Sequence, residues 1–140
     1  MVKAKQVYET VLYASNLDEA ATFYVEGFGL KLIHESELFL VFEIQPAESY
    51  LLIFDPAKSV EAGRDVPSHG ATGAGHIAFL ADEAELPAWR ERLATAEIEI
   101  EQEVQWDKGN GGTSIYVRDP AGNSVELAPR SLWSRMSRAD

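Results

Sequence analysis

One coarse unit runs through this 140-residue chain twice, and that repeat restricts its possible folds more than any other feature. The first copy opens with a β-prone run, Val7–Tyr13. Asn16, with Glu19 three residues on, has the spacing of a helix capping box. Leu17, Ala20, Ala21, Tyr24 and Phe28 then recur at three- and four-residue steps, the apolar stripe of a helix, which Gly27-Phe28-Gly29 ends. Three short strands are expected next, at Leu30–Glu35, Leu38–Gln45 and Tyr50–Phe54, with Pro46 breaking the chain between the last two. The second copy repeats the order. HIAFLA (His76–Ala81) is a strand, and Leu86, Trp89 and Leu93 mark a helix with Pro87 in its first turn. Ile98–Val104, Thr113–Arg118 and Ser124–Ala128 are its three further strands. Glu9 and His76 stand 67 residues apart, and Phe23 and Trp89 stand 66 apart, so two kinds of element share nearly one offset.

The reading is an α+β fold, paired βαβββ modules forming a curved mixed sheet around a cleft. One domain, 1–140, divides into module one (about 6–55), a linking loop (56–75), module two (76–129) and a tail (130–140). The loop is rich in Pro, Gly, Ser and Ala, and is either a plain linker or a functional segment. In the tail, Leu132, Trp133 and Met136 could form a short helix packed on a neighbour.

Composition removes several classes of function. No cysteine means no disulfide framework, no thiolate nucleophile and no sulfur-ligated zinc. Twelve Lys and Arg against 23 Asp and Glu give a net charge of −11, which repels nucleic acid. That charge either serves solubility or attracts a cationic ligand. No apolar run nears the roughly 18 residues of a membrane span, and the first residues lack a signal-peptide core. The expectation is a cytoplasmic protein with no membrane or nucleic-acid partner. No Ser-His-Asp order, phosphate loop or dinucleotide fingerprint occurs.

Three stretches together resemble the vicinal-oxygen-chelate superfamily of glyoxalases, bleomycin-resistance proteins and dioxygenases. YETVLYASNLDEAATFY (Tyr8–Tyr24) is similar to its first strand and helix, GHIAF (Gly75–Phe79) to a strand that usually carries a metal-binding histidine, and YVRDPAGNSVELA (Tyr116–Ala128) to its last hairpin. The resemblance implies a divalent metal held from the first and last strands of each module. Carried over by position, it implies Glu9, His76 and Glu126 as ligands. The fourth position falls at Leu52 or Ile53, neither of which binds metal, so this chain departs from the four-ligand glyoxalase I pattern. Three ligands resemble the count in metal-dependent fosfomycin-resistance enzymes, although those use two histidines and one glutamate.

Strand parity supports the set, because residues two apart share a face. Glu9, Val11 and Tyr13 share one face; His76, Ala78 and Leu80 share another; Ser124, Glu126 and Ala128 share a third. None of the three candidates is on the helix-packed side. Two carboxylates and a neutral imidazole balance a divalent cation, and oxygen-rich ligation suits Mn, Fe, Ni, Co or Zn. Candidate substrate-binding residues are His69, in the linking loop, and Trp106, Ser114 and Tyr116, flanking the Lys108–Gly112 loop. Each has a plainer alternative, a surface role for His69 and ordinary sheet packing for the other three. His34 reads as an exposed strand residue, and Asp119, Pro120 and Gly122 read as turn formers.

The leading expectation is a homodimeric, metal-dependent enzyme that chelates a small substrate through adjacent oxygens. Isomerase, lyase or nucleophile-addition chemistry would fit; ring-cleaving dioxygenase chemistry fits less well. The alternatives are a metal-free, bleomycin-resistance-like protein that sequesters a cationic small molecule, and a non-catalytic dimerisation domain.

Overall fold

The computed structural model describes residues 1–136 and contains two four-stranded mixed sheets with few helices, a glyoxalase-like fold. In module one, β1 (Glu9–Tyr13) is followed by α1 (Leu17–Thr22), β2 (Lys31–Glu35), β3 (Phe39–Gln45) and β4 (Ser49–Phe54). A one-turn α2 (Pro56–Ser59) then opens the linking loop. In module two, β5 (His76–Leu80) is followed by α3 (Leu86–Thr95), β6 (Gln102–Gln105), β7 (Thr113–Arg118) and β8 (Ser124–Ala128). A short α4 (Ser131–Ser134) closes the described chain.

The sheets have the same order, β1-β4-β3-β2 and β5-β8-β7-β6, with the first and last strands parallel in each. Their registers coincide too. Glu9 pairs with Tyr50 as His76 pairs with Ser124, and Val11 pairs with Leu52 as Ala78 pairs with Glu126. Leu52, not Ile53, is therefore the module-one counterpart of Glu126. Ile53 points the other way and is fully buried.

Burial follows the predicted alternation. Leu12 and Ala14 are buried on the helix side of β1, and Val125 and Leu127 on that of β8. These residues join Phe23, Tyr24, Phe28, Leu86 and Leu93 in one core that runs through both modules. Phe28 bridges them, its ring 5.3 Å from Phe79 and 5.7 Å from Trp89. The opposite sheet faces, which carry Glu9 and Glu126, lie outside this core.

The elements depart from the sequence expectations in four places. The first helix does not run on regularly: Asn16 caps α1 through the Glu19 amide, but Phe23–Gly27 widens into a π-helical turn. That widening buries both Phe23 and Tyr24, whereas a regular helix stripe would have included Tyr24 alone. The expected strand at Ile98–Val104 is ordered as a strand only over Gln102–Gln105, because it is an edge paired with β7 alone. A reciprocal capping box formed by Asp82 and Glu85 starts the second helix, a signal the apolar spacing did not include. In the tail, Leu132 is buried in its own chain, whereas Trp133 and Met136 are exposed.

The turn between β7 and β8 ties the modules together. Asp119 accepts from the backbone of Ala121 and Asn123, from the Asn123 amide at 2.9 Å and from the Tyr24 hydroxyl at 2.7 Å. Asn123 also donates to the Tyr13 carbonyl and accepts from Gly75 N–H, one residue before His76. Burial, then the Asp119 carboxylate, holds the Tyr24 phenol well above the ordinary range.

Candidate metal centre

On the open face of module two, β5 and β8 run side by side and put His76 diagonally across from Glu126. His76 Nε2 lies 3.2 Å from Glu126 Oε1. The carboxylate side chain is 7% exposed and the imidazole 49%, so the pair opens outward on the histidine side. Both are held from behind. Ser114 on β7 donates to Glu126 Oε2 at 2.6 Å, and Trp106 Nε1 donates to Ser114 Oγ at 2.8 Å. Ser124 Oγ lies 3.0 Å from His76 Nδ1, which leaves Nε2 as the outward nitrogen. Tyr116 stacks on His76 at 6.3 Å, and its phenol is pushed up by burial and then by the nearby Glu126 charge.

This arrangement fits a metal on its donor chemistry. Ligands about 2.1 Å from one cation, at angles between square and tetrahedral, stand roughly 3.0–3.4 Å apart. The His76–Glu126 separation falls in that range. Each donor is also oriented by a hydrogen bond from its far side, as metal-binding imidazoles and carboxylates usually are.

The remaining candidates lie elsewhere. Glu9 is exposed at the start of β1, on the open face of module one, beside Val11, Leu52, Phe39 and Phe54. Among the described residues of one chain, no three His, Cys, Asp or Glu side chains gather around a common point. The modules meet at the other end of β1, where Tyr13 receives Asn123. Glu9, four residues back, is roughly 13 Å further along the strand. His69 is on the Glu9 face: its Nδ1 lies 2.8 Å from the Tyr13 hydroxyl, and its ring meets Phe54 edge-on at 4.6 Å. His34 is exposed and packs on Phe39. Trp106, Ser114 and Tyr116 all surround Glu126. Ser124 was missed; its place beside His76 in the parallel register was the available signal.

The fold and this pair of donors define a class. The chain belongs to the Glyoxalase/Bleomycin resistance protein/Dioxygenase superfamily, whose model matches residues 6–127. Among solved structures, it is 40% identical to a lactoylglutathione lyase from Agrobacterium tumefaciens, with a TM-score of 0.84 over 93% of this chain and 97% of that one. It is 25% identical to the metallothiol transferase FosB of Bacillus licheniformis, over 87% of this chain and 73% of the relative. The fold is shared with FosX, a fosfomycin resistance protein from Listeria monocytogenes, at a TM-score of 0.67 and 21% identity over 97% of this chain and all of the other. That structure is a complex with Mn(II) and 1S,2S-dihydroxypropylphosphonic acid. Among the described residues, no helix is long and apolar enough to cross a membrane.

Proposed function

We propose that the protein is a divalent-metal-dependent enzyme of the glyoxalase type, acting on a small substrate that offers two adjacent oxygens. We propose further that each metal site is assembled from two copies of the chain. His76 and Glu126 of one protomer and Glu9 of another would hold the ion. The observation that carries this reading is the His76–Glu126 pair, 3.2 Å apart, open to one side and hydrogen-bonded from behind. Likeness to the lyase over almost the whole of both chains supports isomerase or lyase chemistry over the other family reactions.

When bound, the metal would supply Lewis-acid stabilisation of negative charge developing on a substrate oxygen. The residues of the chain have separable parts in this. Trp106 and Ser114 keep one oxygen of Glu126 occupied, so the other faces outward. Ser124 engages His76 Nδ1 and so leaves Nε2 as the nitrogen available to the ion. Tyr116 offers a phenol hydroxyl beside Glu126, neutral at physiological pH as an ordinary tyrosine is. Glu9 brings the second carboxylate that balances a dication.

A metal-free binding protein is the rival reading, favoured by the distance of Glu9 from the other two residues within one chain. Mixing Glu9→Gln and Glu126→Gln protomers separates the two. In a two-chain site each variant alone binds no metal tightly, but the mixed dimer regains one intact site. Recovery of about half the wild-type metal per mixed dimer is expected. Metal-free wild-type protein, or no recovery on mixing, would end the proposal.

A further inference from the structure

We propose that the substrate carries a flat apolar group, an aryl ring above all, beside its metal-facing oxygens, and that the open face of module one receives it. This rests on the two-protomer site above and gives its substrate a class.

The face is built for such a group. Val11 and Leu52 sit side by side in the β1–β4 register, and Phe39 on β3 stacks on Phe54 at 4.9 Å with the planes only 11° apart. Leu52 and Phe54 are buried although, among the described residues, no sheet or helix covers this side, because residues 64–69 of the linking loop line the space over them. Two ties to one backbone carbonyl hold that arch: the Arg64 guanidinium Nη2 and the His69 backbone N–H both donate to the Ser59 oxygen, at 2.8 and 3.0 Å. His69 closes one end by packing edge-on against Phe54 and bonding to Tyr13. The space between arch and sheet is about 680 Å³, within the range of small-molecule sites.

Chemistry separates this face from its counterpart. By register, Phe39, Val41, Leu52 and Phe54 stand where module two has Ser114, Tyr116, Glu126 and Ala128. Around Val11, Phe39, Val41, Leu52 and Phe54 the wall itself offers no side-chain hydrogen-bond partner; its polar groups, Glu9, Tyr13, Glu43 and Tyr50, stand around that patch, so burying a polar group against its centre would be costly. A ring would lose water and stack on aromatic neighbours. Because Glu9 shares this face, a substrate held at the metal would reach the apolar wall with its next atoms.

Benzohydroxamate and acetohydroxamate test this, since both present adjacent oxygens and differ only in phenyl against methyl. With Zn(II)-loaded full-length protein, calorimetry is expected to show the phenyl compound binding at least about tenfold more tightly. Phe39→Ala, at a half-buried position where folding is least at risk, should cut that preference to about threefold or less. It should leave the acetohydroxamate affinity within twofold. In NMR, the phenyl protons should show contacts to Phe39 and Phe54. Equal affinities for the two probes, or phenyl contacts to Trp106 instead, would overturn the proposal. If the protein takes up no Zn(II), the enzyme reading fails separately. The metal-free protein then decides this inference by the same contacts: phenyl to Phe39 and Phe54 supports it, and their absence overturns it.

Discussion

In module one the β1–β4 pair sets Glu9 beside Tyr50 and Val11 beside Leu52; in module two the β5–β8 pair sets His76 beside Ser124 and Ala78 beside Glu126. The pairing register of these two strand pairs is the same to the residue, yet the wall around Leu52 is apolar where that around Glu126 is polar. A repeated scaffold lets equivalent positions carry different chemistry. Module two places oriented hydrogen-bonded donors on its open face. Module one places aromatic and aliphatic packing at the equivalent positions.

The contrast breaks most sharply at Glu126. Glu126→Gln should weaken metal binding by at least about a hundredfold, more than loss of a supporting residue costs, while Leu52→Glu should confer no such binding on module one. Metal content after dialysis against a weak chelator reads both. Leu52→Glu should also cost about 2–4 kcal/mol in denaturant unfolding, because it puts a charge where the wall is apolar and roofed. An unchanged midpoint would mean that the roof does not exclude water.

Ser114→Ala should lower metal affinity by roughly 10–100-fold without abolishing it, since Glu126 would keep its place but lose its anchor. Tyr24→Phe removes a buried hydrogen bond to Asp119 and should cost about 1–3 kcal/mol at neutral pH. It also changes the alkaline behaviour. The folded-state pKa of Tyr24 lies above its ordinary value of 10.0, so the native state keeps a proton that the unfolded chain releases. Its stabilising effect is thus whole below pH about 10 and declines above it, by up to about 1.4 kcal/mol per pH unit. Urea midpoints measured across that range should fall less steeply in Tyr24→Phe than in wild type. The smallest effect is at the module-one turn matching that of Asp119. Ala47 takes a φ of 61° there, as Gly122 takes 90° in module two, and Ala47→Gly should stabilise by about 0.5–1 kcal/mol.

Much of this was legible in the residues. β-prone runs bounded by turn residues located seven strands nearly to their ends, and the near-constant offset between copies gave the duplication. Parity put Glu9, His76 and Glu126 on open faces, because a strand leaves a side chain only two directions. The apolar pattern of β4 left Leu52 and Ile53 equivalent, since Tyr50–Phe54 is hydrophobic on both sides and only the register with β1 separates them. Alternation also says nothing about which faces look toward each other. That depends on Phe28, Phe79 and Trp89 packing the helix sides together, a long-range choice with no local signature. The π-helical turn was hidden for the same reason, as burial of both Phe23 and Tyr24 overrides helix spacing.

Asn123 has a further consequence. Its carboxamide donates to Tyr13 and Asp119 and accepts from Gly75, so nitrogen and oxygen cannot trade places. Hydrolytic loss of ammonia from this one group would set two carboxylates against each other and strip the Tyr13 carbonyl of its donor. The slow chemistry of protein ageing would therefore act, at this carboxamide, on a contact that joins both halves of the molecule and lies one residue from His76.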